Sequence, residues 1–146
     1  MRSRHAALSL FFVLLAVPAS AQVSAGVRVG ASLDPDQFYF GGHIETAPLA
    51  EHVHFRPNVE VGVGNNATVV AINFELAYRF PAQQAWHLYA VAGPALNIIN
   101  TNHDTSAQGG ITIGLGAEHS DGLFVEVKAG AINSPSFKIG IGYRFR

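Results

Sequence analysis

Between Val23 and Phe145 the chain passes through eight segments in which apolar and polar residues alternate, and every charged side chain in them shares a phase with the glycines. A two-residue period is a strand with unlike faces. The first segment sets Val23, Ala25, Val27, Val29, Ala31 and Leu33 against Ser24, Gly26, Arg28, Gly30 and Ser32. The last sets Phe137, Ile139, Ile141, Tyr143 and Phe145 against Lys138, Gly140, Gly142 and Arg144. The charged residues of the strands are Arg28, Glu45, Arg56, Glu60, Glu75, Arg79, Glu118, Glu126, Lys128, Lys138 and Arg144. For these eleven to share one phase by chance has odds of about one in two thousand on a period of two.

Turn chemistry separates the segments: Asp34-Pro35-Asp36, Pro48 to Glu51, Asn65-Asn66, Pro81 to Ala85, Ser120-Asp121-Gly122 and Asn133-Ser134-Pro135. The longest loop is expected at Asn100–Ser106. The fifth segment, Trp86 to Ile99, is the least regular, because Tyr89, Val91 and Ile99 make its second face partly apolar. No segment after the first 21 residues keeps a 3.6-residue period, and no linker divides the chain.

The first 21 residues have a different logic. Arg2, Arg4 and His5 precede an apolar run from Ala6 to Val17. Pro18 ends the run, and Ala19-Ser20-Ala21 supplies small residues for cleavage. This is the pattern of an export signal, with Gln22 as the new N-terminus, and the apolar run is too short for a spanning helix. Two regions are therefore expected, a signal at 1–21 and one domain at 22–146. Loss of Arg2 and Arg4 leaves 7 Lys+Arg against 10 Asp+Glu, a net −3. No basic stripe favours nucleic acid. The chain has no cysteine, which removes disulfides, thiol catalysis and thiolate metal sites.

Alternation alone does not say which face turns outward. A soluble carrier would fold Phe38, Phe40, Phe74 and Trp86 inward around a lipid. Three features favour the opposite sense. Glycine recurs on the charged face, where it weakens a solvent-exposed strand but makes room in a narrow barrel. The charges are nearly balanced, as a lumen requires. Aromatic residues collect at strand ends on the apolar face: Tyr78, Phe80, Trp86, Tyr143 and Phe145 at one edge, Phe38, Phe40 and Phe137 at the other. The expected fold is all-β: an eight-stranded antiparallel up-and-down transmembrane β-barrel behind a cleaved signal peptide. Counting back from Asn65-Asn66 sets Arg56 opposite Glu75, and this pair is expected to join Arg28, Glu60 and Glu126 in a lumen charge network.

Over residues 22–146 the chain resembles the small bacterial outer-membrane β-barrels of the OmpA, OmpX and OmpW kind. The likeness rests on the A-x-A signal, the eight alternating segments and the ending Gly140-Ile141-Gly142-Tyr143-Arg144-Phe145. Members of that group end on an aromatic residue read by the barrel-assembly machinery, and Arg146 after Phe145 departs from the pattern. Tyr78-Arg79-Phe80 repeats the ending at the fourth segment. The resemblance implies the bacterial outer membrane as location, with outer-membrane lipid, lipopolysaccharide and the assembly machinery as partners. The oligomeric state stays open, with a monomer as the default.

Candidate chemistry is sparse. His52 and His54 lie near a turn, but hairpin pairing sets His87 beside Arg79, where a cation disfavours a metal. His119-Ser120-Asp121 has the residue types of a triad, yet neighbours on one turn do not converge. Gly62/Gly64, Gly114/Gly116 and Gly140/Gly142 follow the strand period, with no helix to make a phosphate site. No enzyme, metal or cofactor is expected. The expected role is an integral outer-membrane barrel with a charged, largely filled lumen, serving envelope structure or narrow small-solute passage. The alternatives are an adhesion or partner-binding barrel using loop 100–106, and a soluble periplasmic lipid-binding barrel.

Overall fold

The computed structural model describes residues 23–33, 36–64, 67–81, 85–102, 104–132 and 136–145. The expected export signal with Ala19, Ala21 and Gln22, the residues Asp34, Pro35, Asn65, Asn66 and Asn133 to Pro135, residues 82–84, His103 and Arg146 lie outside them. The strands are β1 (Ser24–Leu33), β2 (Gln37–Glu45), β3 (Val53–Gly64), β4 (Ala67–Arg79), β5 (Trp86–Thr101), β6 (Thr105–His119), β7 (Leu123–Ala131) and β8 (Phe137–Phe145). Each pairs antiparallel with its sequence neighbour, and β8 closes on β1. Val23 and Phe145 stand at one rim, here the near rim. The far rim carries the β1–β2, β3–β4, β5–β6 and β7–β8 connections.

Closure turns the alternation into inside and outside. Val27, Val29, Val125, Val127, Ile139 and Ile141 point outward and are exposed. Arg28, Glu126, Lys128 and Lys138, between them in sequence, point inward and are buried. Nothing here converges as a carrier would need. Phe38, Phe40, Phe74 and Trp86 are all on the outer wall, with Phe38 78% exposed, so the inward-facing lipid-carrier arrangement is ruled out. Two aromatic belts flank the wall. Tyr78, Phe80, Trp86, Tyr143 and Phe145 ring the near rim, while Phe38, Phe40 and Phe137 lie toward the far rim.

The inner wall departs from the sequence reading in one respect. Its glycines face rings as much as charges. A Cβ on Gly116 would overlap the Tyr89 ring, one on Gly142 the Phe124 ring, and one on Gly30 or Gly140 the Tyr39 ring. Each large lumen aromatic thus reaches over a nearby strand at a position that has no side chain. Tyr89 and Phe124 are almost wholly buried. The partly apolar second face of the fifth segment is explained by this packing, since Ala77, Tyr89 and Val91 form a small buried cluster inside the barrel.

Two further expectations are corrected. Asn100–Ser106 is mostly strand: Ile99 pairs with Ser106 and Asn100 with Thr105, leaving only Asn102 to Asp104 as the connection. Thr and Asn at these positions read as loop residues, but the ladder carries on through them. The longest connection is Thr46 to His52, at the near rim. His87 lies opposite Glu118, and Tyr89 opposite Arg79, because β5 pairs two residues further along than a simple hairpin count gives.

The ring-on-glycine packing makes a testable asymmetry. Gly116→Val and Gly142→Val are each expected to destabilise the barrel by about 1–3 kcal/mol through overpacking. Gly109→Ala, whose Cβ meets nothing within 4 Å among the described residues, is expected to be near neutral. Urea midpoints of the refolded variants in detergent check both.

Candidate functional site

The candidate site is the lumen itself. Six cations, Arg28, Arg56, Arg79, Lys128, Lys138 and Arg144, face five carboxylates, Glu45, Glu60, Glu75, Glu118 and Glu126. Glu126 of β7 is the hub. Its carboxylate meets Arg28 Nη1 at 2.8 Å and Arg56 Nη1 at 2.9 Å, and accepts a hydrogen bond from the Tyr89 hydroxyl at 2.6 Å. The Arg56 contact is an oblique ion pair, and its guanidinium also sits 5.0 Å from the centres of the Tyr89 and Phe124 rings. His43 Nδ1 is 2.9 Å from Arg28 Nη2, and Asn73 donates to Asn58 Oδ1 at 2.7 Å.

Register and pairing part company here. Arg56 does lie opposite Glu75 across β3 and β4. The expected Arg56–Glu75 ion pair does not form, since Glu75 instead takes Lys128 Nζ of β7 at 2.6 Å. Side chains on the concave face converge on the axis, and an eight-stranded barrel is narrow enough for them to reach the opposite wall. The same reach resolves a like-charge clash. Lys128 and Lys138 are directly opposite across β7 and β8, a destabilising arrangement unless they diverge. Each takes a different nearest carboxylate, Lys128 that of Glu75 and Lys138 that of Glu60 at 2.7 Å. Lys128 also stands 3.6 Å from Glu60 and 3.7 Å from Glu126, so carboxylates separate and screen the two cations.

A second tier closes the near rim. Arg79 grips Glu45 with two hydrogen bonds, of 2.7 Å and 2.6 Å, and reaches Glu118 at 2.8 Å. Arg144 meets Glu118 obliquely at 2.9 Å and Glu45 at 3.7 Å. Below the far rim, Ser32, Gln37, Tyr39, Glu60 and Lys138 help to line a recess of about 10 Å³, the space of about one water.

The histidines gather no metal set among the described residues. His54 Nδ1 lies 2.9 Å from the Thr46 carbonyl, and the His52 ring stands edge-on to Tyr78. His119 and Asp121 do meet, at 3.0 Å, in the exposed β6–β7 turn. The Leu123 amide and His119 hold the Asp121 carboxyl below its ordinary range. The Asp121 amide also donates to His119 Nδ1 at 3.3 Å, so the motif's contacts are those of a turn. Sequence reasoning missed the ring layer of Tyr39, Tyr89 and Phe124. The strand phase places all three inside, and glycines on adjacent strands were the available signal.

No protein-family model and no curated protein sequence matches the chain. Solved structures do match. The N-terminal β-barrel domain of Pseudomonas aeruginosa OprF is 17% identical with a TM-score of 0.64, over 84% of this chain and 96% of that one. Neisserial surface protein A is 14% identical with a TM-score of 0.64, over 84% and 94%. A de novo designed transmembrane β-barrel is 16% identical with a TM-score of 0.56, over 84% and 94%.

The hub makes a sharp expectation. Glu126→Ala leaves the buried Arg56 without its carboxylate and Arg28 with only Glu60, at 3.4 Å, and breaking a buried pair costs about 3–5 kcal/mol. Glu75→Ala is expected to cost more than Glu75→Ala combined with Lys128→Ala, while adding Arg56→Ala to Glu75→Ala gives no such relief. Denaturant midpoints of the four variants check this. At these identities the likeness is one of architecture: the chain has the fold of the small outer-membrane β-barrels that its sequence resembles.

Proposed function

We propose that this chain is an integral protein of the bacterial outer membrane whose filled barrel serves envelope structure and does not conduct. The observation that carries the reading is the inversion of the barrel: aliphatic side chains coat the outside between two aromatic belts, and the charges are sequestered within. Strands of nine to sixteen residues match an apolar band about 25 Å tall crossed at a tilt of about 40°. The residues at 1–21 would direct export, and outer-membrane lipid and lipopolysaccharide would surround the wall. The near rim, with both described ends, would face the periplasm.

Passage is disfavoured by the two tiers of ion pairs and the Tyr89–Phe124 layer that cross the lumen. Adhesion is disfavoured by the far rim, where the connections run only two to five residues. Host-binding barrels expose longer loops. No catalytic role is assigned to the His119–Asp121 contact.

Three measurements separate these readings. The protein is expected in the detergent-extracted envelope, to migrate as a compact band until boiled, and to give no discrete current steps in a planar bilayer. Recovery from the periplasm without detergent would reject the membrane reading. Discrete steps from the refolded protein would replace structure by passage.

A further inference from the structure

The near rim is built twice. Tyr78-Arg79-Phe80 closes β4 and Tyr143-Arg144-Phe145 closes β8, four strands apart. Glu45 ends β2, and Glu118 lies one residue from the end of β6, again four strands apart. These four charged side chains form one ring. A half-turn about the barrel axis carries Arg79–Glu45, at 2.6 Å, onto Arg144–Glu118, at 2.9 Å. It carries Arg79–Glu118, at 2.8 Å, onto Arg144–Glu45, at 3.7 Å.

The backbone repeats with the side chains. The residue before β3 is His52, with φ 64°, and the residue before β7 is Gly122, with φ 116°. The His52 carbonyl accepts from the Arg79 amide at 2.9 Å, and the Gly122 carbonyl from the Arg144 amide at 2.9 Å. Tyr78 stands opposite Val53 and Tyr143 opposite Leu123, the first residues of the two following strands. Strand alternation explains none of this. It requires neither a positive φ at both places, nor arginine as the donor to both, nor the same two carboxylates between them.

We propose that the barrel consists of two four-stranded units, β1–β4 and β5–β8, that are equivalent at the near rim, where the seams β4–β5 and β8–β1 match. The end of β4 is then a second closing end, able to serve as the end of the chain as β8 does. The repeat is a property of the rim. Deeper in, the halves have diverged, with Arg56 on β3 facing Glu126 and Phe124 on β7.

Circular permutation of residues 22–146 tests the equivalence. Ala25 and Phe145 are already paired, so a short linker joins the natural ends. One permutant opens between Pro81 and Ala85 and finishes on the β4 end. Its control opens in the β6–β7 turn and finishes on the β6 end. Refolding into detergent micelles is scored by the compact unheated band. The β4-ended chain is expected to refold like the natural chain, and the control to lose most of the compact band. Failure of the β4-ended chain, or equal refolding of both, overturns the proposal. In the unpermuted chain, Glu45→Gln and Glu118→Gln are expected to shift the urea midpoint by the same amount. A loss confined to one of them contradicts two equivalent units.

Discussion

A charge enclosed by a sheet must find its countercharge inside the same sheet. That constraint governs this molecule. Closure of β8 on β1 puts eleven charged strand residues around one axis, with little water to solvate them. The lumen answers with shared partners. Glu126 serves Arg28 and Arg56 together, and Glu45 and Glu118 serve Arg79 and Arg144 together. The excess of one cation, six against five, is absorbed because carboxylates are shared and because Arg56 also lies against two aromatic rings. Glycines on neighbouring strands make room for those rings, so charge pairing and packing rest on each other.

The same closure settles the backbone. An open sheet of this composition would present bare strand edges beside an apolar wall, whereas a barrel pairs every strand on both sides. The outer wall can then be uniformly apolar. Its two aromatic belts and the short connections at the far rim belong to one design, a cylinder sized to an apolar slab with little built beyond it on that side. The longer segment at Thr46–His52 lies with the described ends at the near rim, where the doubled arginine–carboxylate ring also sits.

Much of this was legible in the residues, for reasons of period. A strand has only two faces, so eleven charges on one phase assign the inside of every strand but β5, which carries none, without knowledge of any contact. Turn chemistry then placed most of the breaks. Contacts were less legible. Arg56 stands opposite Glu75 as counting predicts, yet each pairs across the lumen, because concave-face side chains point toward the axis and away from their ladder neighbours. Asn100 to Ser106 looked like a loop because polar residues can also sit in a strand that nears the end of the barrel. The ring layer was missed because Phe124 reads as a core residue of any fold until Gly142 beside it is noticed. The Tyr-Arg-Phe repeat was visible, but only coordinates show that both arginines hold the same two glutamates.

The claim on which the rest depends is the assignment of faces in the membrane. The chain has no cysteine, so single cysteines can be placed along β8 from 137 to 145 and labelled with a fluorophore without background. With the protein in vesicles carrying a nitroxide on the acyl chains, the account predicts strong quenching at positions 139, 141 and 143 and weak quenching at 138, 140 and 142. The reverse pattern, or quenching that does not alternate, would contradict it.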